Sequence, residues 1–358
     1  MTADAVGGVW TYSMELAQAL AGYGVSIGLA TMGPPLSRDQ RKEAHRIPML
    51  ELFESAFNLE WMRDPWHDVD RAGEWLLGVE ARLKPDVVHL NGYAHAALPW
   101  DAPVVTVGHS CVLSWWKGVK GCGVPASWNR YRDAVRRGLA ASRLVIAPTH
   151  TMLEALKEHY PGAVRNARVI PNGRDAALFR PRPKGRFVFS AGRVWDEAKN
   201  IAAVEKAAAK LAWPVYVAGD RGPEPRQAAA GVRVLGRLGL SDLAHFYGRA
   251  PIYALPARYE PFGLSVLEAA MSGCALVLGD IPSLRENWAG AAIFVPPEDT
   301  EALQSALKTL ISDARLRAGL RMEARLRARR FAPQRMAEAY ISAYRDACAA
   351  DRENIACA

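Results

Sequence analysis

The feature that most constrains the fold is an alternation of short apolar runs with helical patterns, interrupted once. In the first half the β-branched runs VSIGLAT (from Val25), DVVHLN (Asp86), PVVTVGH (Pro103), RLVIAP (Arg143) and RVIPN (Arg168) have the length of buried strands. After a Pro/Gly/Arg-rich stretch, FRPRPKGRF from Phe179 to Phe187, the alternation restarts with FVFSAG (Phe187), PVYVAG (Pro214), VRVLG (Val232), IYALPA (Ile252), ALVLG (Ala275) and AAIFV (Ala291). Strands that alternate with helices build parallel sheets. Two such series joined by a stiff linker therefore predict an α/β protein of two doubly wound, Rossmann-like domains. The first is expected over residues 1–178, with the last helix within 333–358 packing back on it, and the second over residues 179–332. The length of 358 residues, about twice that of a usual domain, agrees.

Composition excludes several classes. Apolar residues make up 50% and charged residues 23%, which rules out disorder, collagen and coiled coil. The longest uncharged stretch, Leu16 to Ser37, is broken by glycines and by Pro34-Pro35, so it cannot satisfy its backbone as a membrane-spanning helix. The start, Met-Thr-Ala-Asp, lacks the basic and apolar regions of a signal peptide, and the five cysteines are odd in number without a C-x-x-C pair. A reduced, cytoplasmic protein is expected. Its net charge of +8 favours an anionic partner, and much of the excess lies between Arg315 and Arg335. Leu316, Leu320 and Leu326 at helical spacing there suggest a solvated helix packed by its leucines, with peripheral contact to anionic lipid at the inner face of a membrane as the alternative. Zinc spacings, basic zippers and RNA-recognition strands are absent, so nucleic acid is not an expected partner. No G-x-G-x-x-G follows a strand, which argues against a dehydrogenase.

Ligands of doubly wound sheets sit beyond the carboxyl ends of strands, so chemistry belongs in the loops that follow the apolar runs. The segment RYEPFGLSVLEAAMSGCALVLGD, Arg258 to Asp280, puts Glu260 at a strand end, a turn through Phe262 and Gly263, and a helix from about Leu264 that carries Glu268. Gly263 permits close backbone approach, and the free N–H groups of the helix start suit a phosphate. Glu268 offers two acceptor oxygens for the hydroxyls of a ribose; alternatively it complements the helix dipole. Earlier, AGRVWDEAKN places Gly192-Arg193 and Lys199 after a strand, two cations able to neutralise a diphosphate without a metal. Asp196 and Glu197 leave a merely ion-paired helix start as the other reading. Asp68-Val-Asp70 lies far along the chain from these phosphate candidates, and no essential metal or other cofactor is expected.

These motifs, together with VIPNGRDAALFRP (Val169 to Pro181) and Gly7-Gly8 before a helix, resemble the retaining glycosyltransferases of family 4, which have the GT-B fold of two Rossmann-like domains facing across a cleft. The resemblance runs along essentially the whole chain. It implies a hexosyltransferase that uses a nucleotide-diphosphate sugar as co-substrate. Glu260 would contact the donor sugar, Glu268 the ribose, and Arg193 and Lys199 the diphosphate, with backbone amides around Phe262, Gly263 and Leu264 assisting. Gly7 and Gly8 would let a loop close over the donor, and His109 would lie near the transferred sugar. A front-face route is implied, in which the leaving diphosphate accepts the acceptor's proton. No first-domain carboxylate stands out as a nucleophile. Acceptor contacts are expected from Trp115, Trp116, Lys117 and Lys120 after His109, and from Asn91 and Tyr93; the acceptor, whether glycan, lipid or small molecule, is not legible. An epimerase or phosphorylase on the same architecture, or a non-catalytic sugar-nucleotide or glycan-binding protein, are the rival readings.

One element looks missing. The chain reaches Gly7 after only six residues with Asp4 among them, which is short for a buried strand plus a turn. The first strand is therefore expected to be lost, or Met1 to be an internal methionine of a longer protein.

Overall fold

The computed structural model of the protein describes residues 1–220, 222 and 229–356, with side chains as far as residue 349; Cys357 lies outside the described residues. The chain divides into two compact units, Met1–Lys117 with Cys122–Gly173 and Pro333–Ala358, and Gly118–Gly121 with Arg174–Ala332. The boundary thus falls at Gly173–Arg174 rather than after Leu178. The stretch expected to be a stiff linker is packed onto the second unit instead. Phe179 is buried in that unit's core, the Arg182 amide donates to Gly248 O (3.0 Å), and Lys184 Nζ donates to the carbonyls of Ala250 and Ser272 (2.8 and 2.7 Å). Basic side chains cap carbonyls as readily as they solvate a spacer, and composition alone does not separate the two.

In the first unit, β1 (Thr2–Asp4), β2 (Ile27–Met32) and β3 (Leu50–Glu54) form one parallel ladder in the order β1-β2-β3, and β4 (Val88–Leu90), β5 (Val104–Val107), β6 (Leu144–Ala147) and β7 (Ala167–Val169) form a second in that order. The expectation that the first strand is lost is corrected here. Thr2, Ala3 and Asp4 pair with Ala30, Thr31 and Met32, and the Ala30 amide extends the ladder to Met1 O (2.8 Å). Three residues suffice because the turn is equally short: Gly7, at φ 77° and ψ −148°, caps the helix Gly8–Ala21 in a conformation that a side chain would disfavour. The two ladders are joined by a side chain. Asn91, just past β4, donates from its backbone N–H to Thr2 Oγ1 (2.9 Å) and from Nδ2 to Thr2 O (2.7 Å). The described part of the last helix, Pro333–Ala356, belongs to this unit, where Met336, Ala337, Tyr340 and Ala343 share a core with Tyr12 and Leu16.

In the second unit, β8 (Val188–Ala191), β9 (Val215–Ala218), β10 (Val232–Gly236), β11 (Ile252–Leu255), β12 (Ala275–Gly279) and β13 (Ala292–Val295) make one parallel sheet, ordered β10-β9-β8-β11-β12-β13. The order reverses between β8 and β11, and a doubly wound sheet binds its ligand at such a reversal. Among the described residues no helix is long and apolar enough to cross a membrane.

The arginine-rich helix, Ala314–Ala328, packs by only one of its three leucines, Leu320. It buries Ala324 and Ala328, and its inward arginines cap backbone carbonyls: Arg317 donates to Leu310 O, Arg321 to Gly273 O (2.8 Å) and Arg327 to Ala289 O (2.9 Å). Each of those carbonyls lies at or just beyond the C-terminal end of a helix, where backbone oxygens lack partners. Leu316 and Leu326 are left 38% and 47% exposed.

Candidate active site

At the sheet reversal of the second unit, the loop after β8 begins with Gly192. Its carbonyl oxygen would lie 1.7 Å from a Cβ on Gly219, so the ends of β8 and β9 meet backbone to backbone. The loop then presents Arg193, whose Nη2 donates to Asp196 Oδ2 (2.7 Å) while the guanidinium lies over the Trp195 ring, 5.2 Å from its centroid. Asp196 is itself buried and accepts from the Ala198 amide (3.0 Å), capping the short turn Glu197–Lys199. Asn200 follows in the left-handed region and donates to Pro256 O (2.9 Å) and Pro297 O (2.7 Å), which ties this loop to the segment after β11. That tie brings the chemistry together. Lys199 Nζ meets Glu260 Oε2 at 2.5 Å, with the side chains 19% and 11% exposed.

The loop carrying Glu260 is fixed from below. Ser283 Oγ donates to Glu260 O (2.6 Å) and Asn287 Nδ2 to Phe262 O (3.2 Å). Phe262 is buried against Phe331, and Gly263, at φ 91°, turns the chain into the helix Leu264–Met271. Leu264 opens that helix, whose first N–H groups have no acceptor within it. Glu268 lies past the first turn and is buried, with Oε1 accepting from Arg174 Nε at 2.8 Å; the two side chains are 8% and 6% exposed. The reading of Glu268 as a helix-dipole partner is therefore set aside. Burial raises its carboxyl pKa above the ordinary value, and Arg174 and Tyr247 oppose that rise. Sequence reasoning assigned Arg174 no role. It stands in the quoted VIPNGRDAALFRP, just before the buried Phe179 over whose ring it lies, 4.9 Å from the centroid.

In the first unit Gly7 and Gly8 are exposed at the start of their helix. His109, after β5, is half-buried, its Nε2 bonded to Asn91 Oδ1 (2.8 Å) and its ring edge-on to Tyr12. The Asn91 amide is oriented by Thr2 O, which can only accept, so Nδ2 is the donor there and Oδ1 accepts elsewhere. Oδ1 receives both His109 Nε2 and His89 Nε2 (3.1 Å), so both rings carry their proton on Nε2, and His89 Nδ1 accepts from Tyr344 O–H at 2.6 Å. Burial pulls the pKa of each ring down to about 3. Long-range nitrogen–proton NMR is expected to find both histidines neutral, with the proton on Nε2 and no titration as pH falls from 8 to 5; a ring that protonates in that range contradicts the network.

Two residues expected to contact the acceptor have partners inside the first unit. Asn91 is consumed in joining the ladders, and Tyr93 is buried with its hydroxyl donating to Ser110 O (2.8 Å). Trp115 and Trp116 lie edge to face on the helix Val112–Lys120, both half-buried, and Lys117 pairs with Glu158. Asp68 accepts from the Asn58 amide (3.0 Å) and Asp70 approaches Arg130 (3.6 Å). A carboxylate that sequence reasoning passed over is Asp4, which closes β1 and accepts from Trp61 Nε1 (3.4 Å). Burial, helped by nearby Glu60 and opposed by the Trp61 bond, pushes its pKa up to about 7. A carboxyl raised above its unfolded value of about 4 contributes its full stability below that value and loses it as pH rises towards 7. Asp4→Asn is therefore expected to raise the melting temperature relative to the wild type at pH 8 but not at pH 4, as melting curves across that range would measure.

Profiles of two known families match the chain, one described as Glycosyltransferase Family 4 over residues 6–178 and one as Glycosyl transferases group 1 over residues 185–313. The glycogen synthase of Mycobacterium tuberculosis is 28% identical over 284 residues, spanning 71% of this chain and 67% of that protein. Sucrose-phosphate synthase from Thermosynechococcus elongatus has the same fold, with a TM-score of 0.79 at 20% identity over 96% of this chain and 94% of that one. Anabaena Alr3699/HepE, solved in complex with UDP-glucose, superposes with a TM-score of 0.75 at 17% identity over 95% and 96% of the two chains. With two parallel α/β units and these two matched regions, the chain belongs to the family 4 glycosyltransferases of the GT-B fold.

Proposed function

We propose that this glycosyltransferase moves a hexosyl unit from a nucleoside-diphosphate sugar to its acceptor with retention of the anomeric configuration. The observation that carries the reading is the cluster at the β8/β11 reversal, where Lys199 pairs with Glu260 on the loop leading to the helix start at Gly263, and Arg193 stands on the same loop as Lys199, paired with Asp196. The diphosphate lies along Arg193, Lys199 and the helix-start amides, Glu260 takes hydroxyls of the sugar, and Glu268, held by Arg174, takes those of the ribose. In the reaction the bond between the anomeric carbon and the β-phosphate oxygen breaks. The acceptor oxygen bonds to the same face of that carbon, and its proton passes to the departing phosphate. Charge grows on the diphosphate as this happens, and the two cations stabilise it without a metal. The bound UDP-glucose of Alr3699/HepE makes that donor the first to try here.

The test is incubation with UDP-glucose, GDP-mannose and ADP-glucose, each with and without EDTA, following melting temperature, nucleotide release and the proton NMR spectrum of the first sugar product. A donor that binds only the folded state raises the melting temperature. The α-anomer appearing first, unaffected by EDTA, supports the reading. First appearance of the β-anomer overturns retention, and loss of turnover in EDTA overturns the metal-free assignment.

A further inference from the structure

The helix Ala314–Ala328 packs on its own domain by one face and leaves three long apolar side chains outside. Its inner face carries Leu320, small alanines and the capping arginines Arg317, Arg321 and Arg327, while Met322, Leu326 and Leu316 are 60%, 47% and 38% exposed. At about 100° per residue these three side chains fall within one arc of roughly 120°. Arg315 projects inside the same arc together with the exposed carboxylate Glu323, Arg325 lies about 60° outside it, and Arg329 and Arg330 follow the helix end; all four arginines are exposed. Scattered exposed apolar residues are ordinary on a soluble protein, but here they stand among four exposed arginines and one exposed carboxylate.

We infer that this outward face of the second unit is a docking surface for an anionic lipid bilayer. Charge complementarity selects the occupant. Four arginines with almost no acidic counterpart suit a dense, delocalised negative surface. Their long aliphatic stems can lie along lipid while the guanidinium groups reach phosphate, with Met322 and Leu326 entering the boundary between headgroups and acyl chains. The net charge of +8 adds long-range attraction to the same surface. This inference does not depend on which donor the enzyme uses.

The experiment is sedimentation of the full chain with phosphatidylcholine vesicles, with and without phosphatidylglycerol. Wild-type protein is expected to pellet only with the anionic vesicles, and less so at high salt. The variant Arg325→Glu/Arg329→Glu/Arg330→Glu is expected to bind at least about 100-fold more weakly, since each basic residue near an anionic surface contributes roughly a five-fold factor. Met322→Ser/Leu326→Ser is expected to lose binding as well. The control Lys210→Glu/Lys308→Glu changes exposed charges elsewhere on the same unit and is expected to bind nearly as the wild type does. All substituted positions are exposed, and matching melting temperatures would verify folding. Three outcomes overturn the inference: no wild-type binding, equal losses in the control and the arginine variant, or a wild-type dimer in sedimentation equilibrium that Met322→Ser/Leu326→Ser converts to monomer. The last would assign the face to a second copy of the chain.

Discussion

Replacing Lys199 with Ala is expected to lower turnover by about 100- to 1,000-fold, roughly 3 to 4 kcal/mol of barrier, while changing donor affinity much less. The asymmetry follows from when the charge develops. In the bound donor the diphosphate is already anionic and solvated along its length, but the extra charge of bond cleavage falls on the β-phosphate oxygen, where a positioned ammonium acts. Arg193→Ala is expected to act in the same direction but more weakly. Its side chain is 39% exposed and already shares its guanidinium with Asp196, whereas Lys199 is 19% exposed. A structural explanation competes, because Lys199 also neutralises Glu260 in a largely buried pair. A double-mutant cycle separates the two. If Lys199 serves only Glu260, then Lys199→Ala made in a Glu260→Ala background costs no further turnover. If it serves the leaving group, the loss persists. Steady-state kinetics with the natural donor would measure both, and unchanged turnover in the single variants removes the leaving-group role.

How much of this could be read before the structure depends on what each feature's physics leaves in the sequence. Eleven of the thirteen strands among the described residues stood out as apolar runs, because parallel strands covered on both faces are apolar throughout. The two that did not are β1 and β3. β1 is three residues long and ends in Asp4, and β3, Leu-Glu-Leu-Phe-Glu, alternates as a strand at the edge of its ladder. Lys199 and Glu260, which the fold brings together, stood out because strand-end loops advertise themselves with glycine and charge. Arg174 did not, since its meaning lies in a partner 94 residues away. Asn91 illustrates the same limit. Its position after a strand suggested a ligand contact, yet its amide holds two ladders and two histidines. The helix Ala314–Ala328 misled for another reason. Periodicity reveals two faces but not which one is buried, and here neighbouring helix ends required arginine inside.

Arg174→Met is expected to be the most destabilising single change in the second unit, by about 3 to 5 kcal/mol, because it leaves the Glu268 carboxylate buried without its cation. For a unit of this size that corresponds to a fall of roughly 10 °C in its melting temperature. The loss should depend on pH in a definite direction. Burial already raises the Glu268 pKa, and removing Arg174 raises it further, so in the variant the folded state holds more protons than the unfolded one above about pH 4. The carboxyl's contribution is then complete below its unfolded pKa and is lost as pH rises. The variant should therefore lie closer to the wild type at pH 5 than at pH 8, and a gap that widens on acidification contradicts the assignment. A second substitution distinguishes stability from binding. Replacing the whole pair, Arg174→Met/Glu268→Leu, removes both buried charges and should restore much of the lost stability, since an apolar pair of similar size often matches a buried ion pair. If Glu268 receives the ribose, that restored protein should still bind nucleoside diphosphate at least about ten-fold more weakly than the wild type, a loss of one or two charge-assisted hydrogen bonds. Calorimetric titration would read it, with Glu260→Ala as a comparison expected to keep nucleotide affinity and lose sugar transfer. Wild-type affinity in the restored double variant would mean that Arg174 and Glu268 serve only to hold the helix Leu264–Met271 in place, and that the ribose is bound elsewhere.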